Sequence, residues 1–336
     1  MSAKLSFASW LFALAFLVLA PRGATAEAIK IGLLKTAGNG GIFVALARGY
    51  FAAEGLQPRL TYFTAAQPIA VAVVSGDIDF GSTALTGGLY NLAAQGSLRV
   101  IAAQSADMPT FQNNTVIVSN RADAAGLKSY QALAGRSVAI TTVGSSPQYC
   151  IVLLSEKFGF DLKSIRFLPV QTTPNVVSAV SGGQADAGVG PAAALLPAVQ
   201  RGDAKLMGFI GDVTPFQLGA VFVTTKTADR RGDVVTRFLR AYRKGARDYH
   251  DAFTGPGEKH RDARDAPAIT AILAKSIGQT PEQLKSGISY VDAEARIDAR
   301  DVQHQIDWYR SQGLLKGELK ASDLIDKRYA LTLPAK

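Results

Sequence analysis

Apolar residues along this chain fall into short blocks that alternate with stretches of helical spacing. Ile29 to Leu34 is a strand-like run, followed by the polar loop Lys35 to Gly41. Ile42, Ala45, Leu46 and Tyr50 then recur at helical spacing, with Gly55 as the stop. Leu60 to Phe63 reads as a second strand. A helix follows, with Pro68 in its first turn and Val71 to Val74 in its body. Ile78 to Phe80 is a short strand, Thr83 opens a helix that Gly96 closes, and Leu98 to Ala103 is a fourth strand. The order β-α-β-α-β-α-β predicts an α/β unit with a largely parallel sheet covered by helices.

The same order returns about a hundred residues later. Ser137 to Thr141 and Ile165 to Val170 read as strands, and the helix between them runs through Ile151, Leu154 and Phe158 to Gly159. The stretch Gly183-Gln184-Ala185-Asp186-Ala187-Gly188 keeps its Gly, Asp and Gly in step with Gly76-Asp77-Ile78-Asp79-Phe80-Gly81. Two lobes on one plan are expected. The last third is different. Asp233 to Ala252 is one long amphipathic helix with Val234, Phe238, Tyr242 and Tyr249 inward. Thr280 to Gln283 forms a capping box, and Val302, Ile306 and Tyr309 mark a further helix ended by Gly313. Lacking strands of their own, these helices should pack on a lobe.

The first 26 residues read as a secretory leader rather than as part of the fold. Lys4 precedes an apolar run from Leu5 to Ala20, and Ala24-Thr25-Ala26 supplies small residues for cleavage after Ala26. The run is short of the ~20 residues that span a bilayer. Hydrophobic residues make up 48% and charged residues 19%, a globular balance. Removing Lys4 and Arg22 from the 36 basic side chains, against 27 acidic ones, leaves about +7. With no basic run interleaved with aromatics, that excess does not point to nucleic acid. Cys150 is the single cysteine, so no internal disulfide is possible, and His250, His260 and His304 have no metal-type spacing. No metal or cofactor is implied.

In open α/β sheets, ligands bind outside the carboxyl ends of the strands, where loops enter helices. That rule selects Thr36, Asn39, Gly40 and Gly41 after the first strand, Thr64 and Gln67 after the second, and Ser82 and Thr83 after the third. In the second lobe it selects Gly144, Ser145, Ser146, Gln148 and Tyr149, then Thr173 and Asn175, then Gly190. These loops carry hydroxyls, amides and glycines and almost no charge; only Lys35 lies near. Helix starts of this kind present unpaired N–H groups to a small anion or to a polar compound with an anionic head. Phe43, Tyr149 and Phe216 are candidate apolar walls. The bland reading is that Ser, Thr and Asn at helix starts are caps.

Enzyme signatures are poor. There is no Walker loop, no H-E-x-x-H and no G-x-S-x-G. Gly188 to Ala193 fits the relaxed dinucleotide pattern G-x-G-x-x-A, with Asp212 downstream, but Pro197 breaks the helix it would open. Asp79 and Asp186 invite reading as paired acids; their equivalent positions favour a turn-stabilising role. Cys150, just inside a helix start, has no histidine nearby in sequence and reads as packed. Arg237, Arg240, Arg243, Lys244 and Arg247 form a basic stripe on the long helix, either a solvated face or a docking face.

With these residues in view, the chain resembles the sulfonate, taurine and nitrate group of transporter-associated solute-binding proteins, to which thiamine-precursor synthesis proteins are related. The segments Ala45 to Leu56, Val74 to Phe80 and Gly182 to Ala187 carry the resemblance, which covers Ala28 to about Ile325. It implies a two-lobed periplasmic binding protein of type II, each lobe a mainly parallel sheet flanked by helices, with the C-terminal helices on lobe I. The expected division is 1–26 signal peptide, 27–114 and 220–336 lobe I, and 115–219 lobe II. The resemblance places ligand donors at Asn39 to Phe43 and Ser145 to Gln148, and a hinge near Gln112 to Val116 and Gln217 to Phe222. It implies a monomer in the periplasm that binds a small organic or inorganic anion, a sulfonate, carboxylate or similar heteroaromatic compound, and delivers it to the membrane permease of an ABC importer. The alternatives are an enzyme on the same scaffold, related to thiamine-pyrimidine synthesis, or a ligand-sensing partner protein. The thiamine-precursor enzymes rely on histidine and a cysteine-rich segment, which this chain lacks.

Overall fold

Glu27–Leu34 (β1) and Leu56–Phe63 (β2) run parallel in full register, Glu27 opposite Leu56 and Leu34 opposite Phe63. β1 also pairs in parallel with Phe80–Ala84 (β3). With Leu98–Asp107 (β4) and Phe216–Thr224 (β10) they make a five-stranded sheet of order β2-β1-β3-β10-β4, in which β10 runs antiparallel to both neighbours. The second sheet repeats the scheme. Asn114–Ser119 (β5), Ser137–Ile140 (β6), Arg166–Pro169 (β7), Ala187–Pro191 (β8) and Ala204–Phe209 (β9) are ordered β7-β6-β8-β5-β9, with β5 antiparallel to β8 and β9. This computed structural model describes residues 26–285 and 287–334. The predicted leader lies outside the described residues, apart from Ala26.

Burial explains which strands are central. β5 is buried at every position and β10 at all but Thr224, as befits strands flanked by a neighbour on each side. In edge strand β2 only Leu56 is buried, and exposed Gln57, Arg59 and Thr61 alternate with half-buried Pro58 and Leu60. The chain passes between sheets twice, from β4 to β5 and from β9 to β10, so each sheet receives its antiparallel strand directly after a crossing.

Both sheets carry the same tie at equivalent places. The Asp79 N–H donates to the Lys30 carbonyl, and Asp79 Oδ2 accepts from the Lys30 N–H at 2.8 Å. The Asp186 N–H donates to the Ser137 carbonyl, and Asp186 Oδ2 accepts from the Ser137 N–H at 2.9 Å. An arginine completes each: Arg231 on Asp79 Oδ1 and Arg121 on Asp186 Oδ1. Burial alone would raise the Asp186 carboxyl. The Ser137 hydrogen bonds and the charges of Arg121 and Arg136 outweigh it and hold that carboxyl below its ordinary range.

Two local expectations change. The third strand extends to Ala84, because Ser82, Thr83 and Ala84 pair across to β10. The next helix, Gly87–Ala94, therefore starts after Thr86, whose hydroxyl caps the Leu89 N–H. The first helix is Gly40–Ala47; Gly49 at φ 72° turns the chain before a short helix at Tyr50–Ala53.

The long helix Gly232–Phe253 covers the first sheet. Phe238 stacks on Phe80 with ring centroids 4.1 Å apart, and Tyr242 and Tyr249 are fully buried. Its outer arginines are tied into the same lobe: Arg237 to Glu27, Arg240 and Lys244 to Glu54, Arg247 to Glu294, and Arg243 to the Glu294 and Tyr329 carbonyls. The capping box forms as expected, with Thr280 and Gln283 exchanging side-chain and backbone hydrogen bonds. Helix Ala299–Ser311 packs on Gly87–Ala94 and β10 and also meets the second lobe. Among the described residues, no helix is long and apolar enough to cross a membrane.

Candidate ligand-binding site

The cleft between the sheets closes over a cavity of about 50 Å³. Its walls come from the carboxyl ends of β1 and β3 (Leu34, Thr36, Thr83), from the ends of β6 and β8 (Thr141, Pro191), and from two helix starts (Ser146, Thr173). Both crossings contribute as well, through Gln104, Ser105, Asn113, Asn114 and Leu218. Every polar lining side chain is a hydroxyl or an amide; none is charged.

A buried network positions this lining. Asn39, 1% exposed, donates to the Leu34 carbonyl at 2.9 Å, and its Oδ1 accepts from Ser82 Oγ at 2.7 Å and from Gln104 Nε2 at 3.2 Å. Ser105 Oγ donates to Gln104 Oε1 at 2.8 Å. Asn39 and Ser82 thus brace Gln104 from behind and do not line the cavity. At the first crossing, Asn113 Oδ1 accepts from Ser289 Oγ at 2.7 Å. Asn114 donates its N–H and its Nδ2 to the two oxygens of Asp107. Complete burial pushes the Asp107 carboxyl up to about 6, despite those two hydrogen bonds. Three buried polar atoms around the cleft have no protein partner: Thr83 Oγ1, Asn113 Nδ2 and Ser145 Oγ. Buried polar groups are normally paired, so these await water or ligand.

Direct bonds hold the mouth of the cleft together. The Gly87 N–H donates to the Gly144 carbonyl at 2.8 Å, and Gln67 Nε2 donates to the Val143 carbonyl at 3.0 Å. Tyr309 Oη reaches the Ser145 carbonyl at 3.4 Å, and Tyr149 Oη lies 2.7 Å from His304 Nδ1. Gly144 takes φ 76°, a conformation glycine adopts without strain, and its N–H is held by Gln148 Oε1 at 2.7 Å.

The residues selected from sequence therefore separate into groups. Thr36, Thr83, Ser146 and Thr173 line the cavity. Gln67, Gly144, Ser145, Gln148 and Tyr149 form or support the contact between lobes. Asn39 and Ser82 are the bracing layer. Gly40 and Gly41 face the long helix, where a Cβ would strike Tyr249 or Tyr242, and Phe43 is buried in the core of that lobe. Thr64 is exposed, and Asn175 bonds back to Thr172 and the Val170 carbonyl. Gly190 faces Leu195, and at Gly188 a Cβ would meet Val176 and Val180; these glycines of the dinucleotide-like stretch serve close packing. Asp212 accepts from the Thr110 N–H at the crossing. Phe216 lines a second cavity, of about 630 Å³, that shares Ser105 with the first and is bordered by Tyr290 and Asp301. Gln104, Ser105, Asn113 and Asn114 were missed, because the strand-end rule does not look at crossing strands. A polar pair inside the apolar run from Leu98 to Ala106 was the available signal.

Residues 37–255, more than half of the chain, match the family described as NMT1/THI5 like. The chain belongs to that family. No curated protein sequence matches it. Solved structures do match in fold. The ligand-binding component of an ABC-type import system from Staphylococcus aureus, with zinc bound, superposes with TM-score 0.73 at 14% identity, covering 90% of this chain and 97% of that one. The periplasmic aliphatic sulphonate-binding protein SsuA from Escherichia coli gives 0.69 at 18% identity, with 90% and 98% covered. The periplasmic nitrate-binding protein NrtA from Synechocystis gives 0.68 at 15%, with 90% and 86% covered. The fold of this NMT1/THI5-like chain is that of the periplasmic binding proteins. Among its described residues, no three His, Cys, Asp or Glu side chains converge as a metal site would require.

Proposed function

We propose that this protein is an exported solute-binding protein that captures a small solute between its lobes and hands it, unchanged, to the membrane permease of an ABC importer. The observation that carries this reading is the cavity itself, walled by both sheets and both crossings and lined by uncharged hydroxyls and amides. A site walled by two lobes joined at two crossings suits the hinge closure that solute capture uses. The S. aureus, E. coli and Synechocystis proteins of this fold support the role. We place the protein in the periplasm as a monomer; the expected lobe limits of 27–114 and 220–336 against 115–219 shift by a few residues, because Asn114 opens β5 of the second sheet and β10 of the first sheet begins at Phe216.

Chemistry at Cys150 has no support. The thiol is fully buried, and burial pushes its pKa far above the ordinary value, so it stays protonated and unreactive. The test is a thermal-shift and small-angle scattering screen of residues 27–336. The panel holds alkanesulfonates, taurine, nitrate, carboxylates and heteroaromatic compounds. A ligand that binds the folded state raises the melting temperature. Recovery of that ligand unaltered establishes capture, whereas turnover overturns the reading.

A further inference from the structure

The cleft's polarity is more specific than its position. We infer that its ligand is an uncharged solute presenting an amide-type edge, a carbonyl oxygen beside an N–H, read by Asn113 and Asn114. This inference rests on the binding-protein reading and narrows it.

Three observations carry it. The first is the orientation of the two amides. Asn113 is 6% exposed, and its Oδ1 is occupied by the Ser289 hydroxyl, which leaves Nδ2 as an unpartnered donor. Asn114 is 4% exposed, and its Nδ2 is committed to Asp107, which leaves Oδ1 as the acceptor. One donor and one acceptor on consecutive lining residues complement a group with one acceptor and one donor. Asn114 is fixed by the Asp107 carboxylate, which can only accept; the Asn113 amide is oriented by the Ser289 hydroxyl, which donates to its Oδ1.

The second observation is the absence of positive charge from the lining. The nearest lysine in sequence, Lys35, lies over the Tyr62 ring, 4.9 Å from its centroid. Behind Asn114 stands the buried carboxyl of Asp107, whose negative form repels an anion.

The third concerns the helix starts at the cleft. Three of them, Gln67–Ser75, Ser146–Phe158 and Thr173–Ser181, carry proline in the first turn, at Pro68, Pro147 and Pro174. Each proline removes one of the free N–H groups that an anion would use. At Thr173–Ser181 the Asn175 N–H is also taken, by the Thr172 hydroxyl. Anion capture at helix N-termini is therefore blunted at three places, while the buried Asn113 amide keeps a donor without a protein partner.

The test is titration calorimetry with pairs matched in shape and differing in charge: nicotinamide with nicotinate, acetamide with acetate, and methanesulfonamide with methanesulfonate. The expected result is that the neutral member of at least one pair binds about tenfold or more tighter than its anion. Its Kd should also be insensitive to salt between about 50 and about 500 mM. Asn113→Asp, which removes the donor, should cost that ligand about tenfold or more at a temperature where circular dichroism shows the variant folded; because the position is buried, the melting temperature of the free variant falls as well. Tighter binding of the anion in any pair overturns the uncharged-ligand inference and leaves the binding-protein reading standing. Failure of all six compounds to bind overturns the inference; if the wider anion and heteroaromatic panel also fails, the binding-protein reading falls with it.

Discussion

Tyr149 Oη and His304 Nδ1 lie 2.7 Å apart, joining the first turn of a second-lobe helix to a helix that packs on the first sheet. The same tyrosine ring packs edge-on against Phe216 and Trp308, each with centroids 5.6 Å away. Hydrogen bond and aromatic packing both exist only while the lobes are together. Tyr149→Phe keeps the packing and deletes the bond, which is worth about 1 kcal/mol. The Kd of a cleft ligand should rise about fivefold by calorimetry, and scattering of the free protein should shift toward an open shape. An unchanged Kd would show that the bond does not help hold the cleft shut.

The neighbouring Gly144 makes a second, independent test. Its φ of 76° disfavours any residue with a side chain, although a Cβ there would make only ordinary contact, 3.6 Å from Gln67 Nε2. Gly144→Val should lose about 1–2 kcal/mol in denaturant unfolding and weaken ligand binding by more than Tyr149→Phe does. Equal stability of the variant would refute the argument.

Burial pushes the Asp301 carboxyl up to about 6, and neighbouring Asp298 adds like charge; hydrogen bonds from Gln305 and Gln217 and the proximity of His304 only partly offset this. A carboxyl raised in the native state binds protons more readily there than in the unfolded chain. Its contribution to stability therefore grows as pH falls through 6 and is lost as pH rises above it. Asp301→Asn keeps an oxygen for the Gln217 N–H and for Gln305 Nε2. The variant should reduce the stability gained between about pH 7.5 and about pH 5 by about 2 kcal/mol or less, read from urea unfolding at each pH. Asp107, also raised to about 6, should contribute a dependence of the same sign.

Asp186 has the opposite character. Its oxygens accept from the Ser137 N–H, the Ser137 hydroxyl and Arg121. Asp186→Ala leaves a buried backbone donor without its partner and should cost about 1–3 kcal/mol. Ligand affinity should not change, since the residue lies away from the cavity; a selective loss of affinity would contradict its role as a tie.

Much of the scaffold was legible because it is local. The runs of β1, β6 and the long helix announce themselves by periodicity, and the paired Gly-Asp-Gly stretches announce the repeated lobe. What was illegible depends on distant partners. Gly40 and Gly41 look like a ligand loop until the helix around Gly245, two hundred residues later, is known to press against them: a Cβ at Gly245 would lie 2.2 Å from the Gly41 carbonyl. Thr83 looks like a helix start until β10 arrives to pair with it. Asn113 and Asn114 belong to no helix start at all, and their meaning depends on Ser289 and Asp107.

Each sheet has one strand that runs against the rest, and the two strands become available at different moments. In a chain made from its N terminus, all five strands of the second sheet exist once Phe209 has emerged. The first sheet, begun at Glu27, lacks its fourth strand until residues 216–224 appear. Until then β3 and β4 have no partner between them and present bare sheet edges. The half of the molecule that is started first is therefore finished last.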